Sequence, residues 1–427
     1  MIRCQWISAL ALGTAALMWI QPAALAQVSF GAAPASSDFG GGGAAEGSEG
    51  SEGSEGSGGD LGIFSQKPFK MSLSFRQGYD SNPNTVSSGA EGSMYSNVGG
   101  GVSYAFGSPR LQLGASLSGG ATYYYNRGDD PVDFNGNFSL SANYRATPRL
   151  NLSLSTATSY LSQPDIGLVG GTNQQDGDYI VSNTTISAAY QWTEIISTIT
   201  SYNFSANYYL ESDLNDNLGN ISQTLAQSVL WLWKPKTTLV AEYRANAINY
   251  YSADLNQFGN YFLVGFDQIF NPRFFWNARA GAQLNLNNNP VDGSSTYIGP
   301  FMESSLRYQF RPASALSWTM RYGTEQSGIF DVSQRQTFRT GLSLTHAITP
   351  RLSSVFSLNY LCNYYSQDQV IDSFVENIVD FNVGVNYQLN RFVGLEAGYQ
   401  FTVDIAPEDT DRDYTRSIVF VGANFSF

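Results

Sequence analysis

Arg279, Arg307, Arg321 and Arg339 fall on four successive segments in which polar and apolar residues alternate, each some residues removed from its tight turn. If the apolar phase of these segments faces lipid, all four arginines point into a common interior near mid-height. Glu303 and Glu325 lie between them, Glu242 and Arg244 precede them, and Asp380 and Glu396 follow. Such a set can place a transverse field across an aqueous pore and tune which ions pass. The same residues can also form an ion-pair lattice that stiffens a wall. The sequence leaves both readings open, and they are compatible.

Other chemistry is sparse, and no catalytic residue is assigned. The one histidine, His346, sits just before Pro350 in the apolar phase of its segment. Paired with a serine or aspartate it would suit a lipid-modifying enzyme; an interfacial aromatic role is expected instead. Asp404, Glu408, Asp409, Asp411 and Asp413 crowd one segment and have the oxygen ligands that Ca²⁺ prefers. A solvated loop is the expected reading, so no metal or other cofactor is assigned. No glycine-rich phosphate loop follows a strand and opens a helix. The formal net charge of −13 argues against a nucleic-acid partner.

The elements that must position these residues are strands. Val379, Phe381, Val383, Val385, Tyr387 and Leu389 alternate with Asp380, Asn382, Gly384, Asn386 and Gln388, and similar runs recur from Lys67 onward. Tight turns carry Pro109-Arg110, Pro148-Arg149, Pro272-Arg273 and Pro350-Arg351, with variants at Pro235-Lys236, Arg311-Pro312 and Asn390-Arg391 and a proline-free turn near Thr193-Glu194. Longer polar connections lie between them, over 80–94, 126–133, 162–177, 211–219, 251–258, 287–296, 326–333, 366–375 and 404–413. The spacing predicts about eighteen strands, with the weakest alternation in the seventh to tenth. Short turns on one side, long loops on the other and an even strand number describe a transmembrane antiparallel up-and-down β-barrel. Charged residues are only 13% of the chain and aromatics 14%, as a polar interior and two aromatic girdles require.

The first 26 residues read as a signal peptide: Arg3, an apolar run from Ile7 to Ile20, then Ala24-Leu25-Ala26. Cleavage would leave Cys362 as the only cysteine and no disulfide within the chain. Residues 27–66 read as a disordered periplasmic linker, with Glu46, Glu49, Glu52 and Glu55 set among glycine and serine. It is a flexible tether, or it folds back towards the arginines and occludes the lumen. Residues 67–427 form the barrel, and both termini are expected on the periplasmic side of a bacterial outer membrane. Phe425 and Phe427 end the last strand and resemble the assembly signal of such barrels, which makes the barrel-assembly machinery an expected partner beside outer-membrane lipid and lipopolysaccharide.

The run Met71-Ser72-Leu73-Ser74-Phe75-Arg76-Gln77-Gly78-Tyr79-Asp80-Ser81-Asn82-Pro83 resembles the first strand and loop of the putative β-barrel porin 2 family. With the Pro-Arg turns, the resemblance extends over roughly 67–427. It implies an outer-membrane location and a porin or polysaccharide-export role, with export components as partners, and carries over no catalytic residue. The expected function is passive passage of hydrophilic solutes or an extended polysaccharide. The alternatives are a structural or adhesive barrel with a closed lumen and, more remotely, the lipid-modifying enzyme built on His346. A TonB-type receptor is disfavoured because the segment before the barrel is too short for a plug domain.

Overall fold

The computed structural model describes residues 69–128, 130–162, 178–211, 219–251, 256–289, 293–326, 334–365, 373–407 and 412–427. The expected signal peptide and the acidic linker lie outside the described residues. Among the described residues eighteen strands follow one another with no helix: β1 (Phe69–Asp80), β2 (Ser93–Gly107), β3 (Leu111–Tyr124), β4 (Val132–Thr147), β5 (Leu150–Leu161), β6 (Tyr179–Gln191), β7 (Ile196–Tyr209), β8 (Asn220–Lys234), β9 (Thr237–Tyr250), β10 (Asn256–Asn271), β11 (Phe274–Asn289), β12 (Gly293–Arg311), β13 (Ser314–Gln326), β14 (Gln334–Thr349), β15 (Leu352–Tyr365), β16 (Phe374–Gln388), β17 (Val393–Ile405) and β18 (Tyr414–Ser426). Each pairs antiparallel with its sequence neighbours, and β1 also pairs with β18, so the sheet closes on itself. Closure removes the unpaired edge that an open sheet would present.

Period-two alternation explains which face is which. Outward side chains are apolar and exposed: Leu73 on β1, Val98 on β2, Ile186 on β6, Val264 on β10 (66% exposed) and Val421 on β18. Exposed apolar side chains at this density need a hydrocarbon solvent, not water. Two aromatic girdles bound the band. Trp192, Trp231, Trp233, Phe270, Tyr308 and Phe392 mark the end with short turns; Tyr79, Tyr123, Tyr125, Tyr208, Tyr251 and Tyr364 mark the end with long loops. Aromatic rings with one polar edge settle at such interfaces.

The turns have a finer rule than Pro-Arg. The residue before the proline is Ser108, Thr147, Asn271 or Thr349, and its side-chain oxygen accepts amide protons from the start of the next strand. Thr147 Oγ1 takes those of Arg149 at 3.2 Å and Leu150 at 3.0 Å. Thr349 does the same for Arg351 and Leu352. Thr193 and Asn390 supply this bond where proline is missing. The side chain thus satisfies amides that the hairpin leaves free, while proline fixes φ beside it. Register shifts adjoin five of these turns, where a strand gains a residue and twists.

Two expected loops are shorter than composition suggested. β11 runs to Asn289, β12 starts at Gly293 and β10 starts at Asn256, so much of 287–296 and part of 251–258 is strand. The asparagine-rich end of β11 reads as loop by residue type, yet its backbone pairs with 293–297 of β12. The seventh to tenth strands, weakest in pattern, pair as regularly as the rest.

One ladder stops early. β12 and β13 pair only from Met302/Tyr322 towards the turn, while β12 continues to Gly293 against β11. Pro300 has no amide proton to offer, and it stands where the ladder with β13 would continue. Gln283 of β11 fills the gap: its Nε2 donates to the Thr324 carbonyl at 2.6 Å and its Oε1 accepts the Thr324 amide at 3.0 Å. A side-chain amide here replaces a missing strand residue. Phe301, 1% exposed, packs against Gly323, where a Cβ would stand 2.7 Å from its ring.

Candidate functional site: an ion-paired belt on one wall of the lumen

Ladder register fixes which residues face inward, and it divides the lumen into two walls. From β3 to β7 the inward residues, apart from Asp133 and Arg145 at the two ends of β4, are neutral, and many are hydrogen-bonded strand to strand, as in Ser116–Ser139 (2.6 Å) and Asn203 Nδ2 to Thr185 Oγ1 (2.9 Å). From β9 through β18 to β1 charged residues stand among the neutral ones on nearly every strand, β15 excepted.

Every inward residue singled out in the sequence lies on this second wall. Arg244 of β9 pairs with Glu242 on its own strand and reaches past β10 and β11 to Glu303 of β12, with Nη1 3.1 Å from Oε2. Gly281 of β11 lies on that path, and a Cβ there would strike the Phe262 carbonyl. The Phe301 ring lies between two guanidiniums, 5.7 Å from that of Arg244 and 5.3 Å from that of Arg321. Arg279 pairs with Asp267 at 2.7 Å and donates to the Phe266 carbonyl. Arg321 and Arg339 share Glu325, the first at 3.6 Å and the second in direct contact. Glu396 of β17 pairs with Arg76 of β1 across β18 and accepts from Asn424 at 2.9 Å.

Two expected residues behave differently. Asp380 has no cation partner among the described residues; it accepts from Gln400 (3.2 Å), Thr402 (2.9 Å) and Asn359 (3.4 Å). Arg307, exposed near the β12–β13 turn, forms no ion pair among the described residues. The acids therefore stand on the same wall as the arginines rather than across from them. The belt neutralises itself locally, as an ion-pair lattice does.

Sequence reasoning missed several members: Arg76, Asp80, Asp267, Arg335, Glu376, Arg412 and Arg416. Arg412 reaches Glu376 at 2.8 Å, and Tyr365 Oη lies 3.0 Å from Arg335 and 3.1 Å from Glu376. Arg76 and Asp80 were legible as inward residues of period two, but strand closure alone brings them to β17 and β18.

That closure explains the Gly78-Tyr79-Asp80-Ser81-Asn82 signature. Asp80 takes a bidentate contact from Arg416 of β18, Nη2 to Oδ2 at 2.5 Å. Ser81 exchanges two bonds with Ser417, at 3.0 and 2.8 Å. Asn82 bonds the amide and the carbonyl of Val86 and folds the loop behind. Phe420, which breaks the polar phase of β18, lies under the Arg76 guanidinium at 5.0 Å. It occupies space left by Gly398, where a Cβ would stand 2.5 Å from its ring. The signature is a latch between the first and last strands.

His346 Nδ1 lies 3.0 Å from Ser314 Oγ, which also accepts the Ala347 amide at 3.1 Å. Ser314 is 2% exposed, so this hydroxyl ties the end of the β13–β14 ladder. Glu408, Asp409 and Asp411 lie outside the described residues, and no group of three or more metal-ligating side chains occurs among the described ones. Cys362 is buried on β15, 2% exposed, and the expected cleavage that would leave it as the one cysteine lies outside the described residues.

A closed barrel with a lipid-type exterior, two girdles and a polar interior defines the class: a transmembrane β-barrel protein. Residues 292–427, which hold β12 to β18, match the family described as "Putative beta-barrel porin 2". No curated protein matches the chain. Among solved structures it is similar to a BenF-like porin from Pseudomonas fluorescens Pf-5, with 8% identity and a TM-score of 0.47 over 84% of this chain and 99% of that one. OpdK of Pseudomonas aeruginosa, solved with vanillate, gives 10% and 0.45 over 84% and 99%. The FrpB iron transporter of Neisseria meningitidis (F3-3 variant) gives 9% and 0.41 over 81% of this chain, which spans only 63% of the transporter.

Proposed function

We propose that this chain is an outer-membrane channel for passive passage of hydrophilic solutes, with both termini on the periplasmic side. The observation that carries this reading is the lumen face itself. Eighteen strands make a barrel wide enough for an aqueous channel unless its own side chains or loops fill it. Inward residues are polar, and towards the turns they are exposed, as at Lys70, Ser103, Asn143, Arg307 and Ser343. The family resemblance adds an extended polysaccharide as a candidate solute and export components as partners.

A second reading has its own observation. At the loop end the inward tyrosines Tyr95, Tyr124, Tyr179, Tyr209, Tyr365 and Tyr414 are all buried, and Tyr95–Tyr124 and Tyr179–Tyr209 pack ring to ring at 5.7 Å. A barrel so narrowed could be a structural or adhesive one with a closed lumen.

Single-channel recording in a planar bilayer decides between them. Steady ohmic current supports the channel, whereas silence, with folding verified by circular dichroism, supports the closed barrel.

A further inference from the structure

Apart from the β6–β7 turn, which has Glu194, each of the short turns carries an exposed basic residue, among them Arg110, Arg149, Lys236, Arg273, Arg351 and Arg391. None of these six forms an ion pair among the described residues. Their backbones have structural work: the carbonyls of Arg110, Arg149, Lys236, Arg273 and Arg351 each accept an amide from the next hairpin. Their cationic ends have no carboxylate partner among the described residues; Lys236 Nζ donates only to the Phe270 carbonyl, at 3.2 Å. At the opposite end the pattern reverses. Arg127 is held by Asp133, Arg412 by Glu376 and Arg416 by Asp80.

Two contacts show where the leftover charge sits. Lys234 Nζ lies 4.3 Å from the ring of Trp233, and the Arg391 guanidinium lies 4.4 Å from that of Phe392. Both rings are exposed members of the outer girdle, 53% and 44%. The basic collar therefore continues the lipid-facing girdle. Long basic side chains at this depth lay their stems on apolar surface and put the charge among headgroups.

We propose that the turn-end collar is a binding surface for the phosphates of anionic phospholipid headgroups in the adjoining leaflet. It gathers such lipids around the barrel. This rests on the outer-membrane reading, in which the turns meet the phospholipid leaflet. The attraction acts between exposed charges, so salt weakens it.

The tryptophans provide the probe. All those among the described residues, Trp192, Trp231, Trp233, Trp276 and Trp318, lie on the outward face in the turn half of the barrel. Brominated lipid quenches tryptophan on contact. Protein purified from outer membranes is placed in phosphatidylcholine nanodiscs holding a fixed fraction of brominated phosphatidylglycerol or brominated phosphatidylcholine. At low salt, quenching per brominated lipid should be about twofold stronger for phosphatidylglycerol. The excess should vanish in 0.5 M salt, and also in the variant with Arg110, Arg149, Lys236, Arg273, Arg351 and Arg391 changed to Gln. That variant keeps every bond between backbone amide and carbonyl named above and should fold; its far-ultraviolet spectrum checks this.

Equal quenching by the two lipids, or an excess that survives in the Gln variant, overturns the proposal. So does an excess seen only after residues 27–60 are removed, because the collar would then be occupied by the chain's own acidic segment. Absence of quenching by either lipid would instead refute the membrane reading beneath it.

Discussion

Glu325 is the residue on which the belt turns. Two arginines share it, and Arg339 is 1% exposed with Nε and Nη1 lacking any other bond. Glu325→Gln leaves a buried guanidinium uncompensated, a change that costs about 3–5 kcal/mol. Urea unfolding in detergent should show the loss. If the channel conducts, the reversal potential in a salt gradient should also move towards anion preference, because the wall gains a net positive charge. Gly398 makes a second case at this scale. Gly398→Val puts atoms into the Phe420 ring and should lower stability by about 1–3 kcal/mol. Individual inward residues such as Arg279, Arg321 and Arg339 were legible from period two alone. Their partners were only partly so: Glu303 and Glu325 had been noticed, whereas Asp267 carries no mark in the sequence that separates it from any other strand acid. Pairing is a property of register, and register is set by neighbours that the sequence does not name.

At the scale of elements, the tight turns and the β12–β13 seam carry opposite lessons. The turns were readable because proline and its neighbour act locally; even so, the oxygen-bearing residue before the proline was overlooked while the arginine after it was noticed. The seam was hidden. Pro300 lies within a strand, and only the ladder shows that it faces a gap closed by Gln283. Gln283→Ala leaves the Thr324 amide and carbonyl unmatched and should cost about 1–3 kcal/mol. Hydrogen exchange gives a direct test: the Thr324 amide should lose protection in the variant while amides of the paired part of β13, such as Trp318, keep theirs. Equal protection in both proteins would show that other groups hold the seam.

For the molecule as a whole, eighteen strands, eight turns and an even count were legible because membrane spanning forces repetition, and one repeat predicts the next. Closure was implied by that count, but its fastening was not. The terminal residue takes part in it: Phe427 and Met71 exchange backbone bonds at 2.9 and 3.2 Å. Removing Phe427 should therefore lower the yield of folded barrel, read as heat-modifiable mobility on gels, through lost pairing as well as any loss of recognition by the assembly machinery. The latch between β1 and β18 also bears on time. Asp80 and Arg416 are 336 residues apart in the chain, and the seam they belong to asks for the longest search of any strand pair before its contacts form. Closing should be the late event in folding and opening there the early one in unfolding. Asp80→Asn should then quicken unfolding far more than it slows the pairing of the strands between, a division that stopped-flow measurements on the two limbs would reveal. The cylinder, uniform once built, keeps in its kinetics the memory of having two ends.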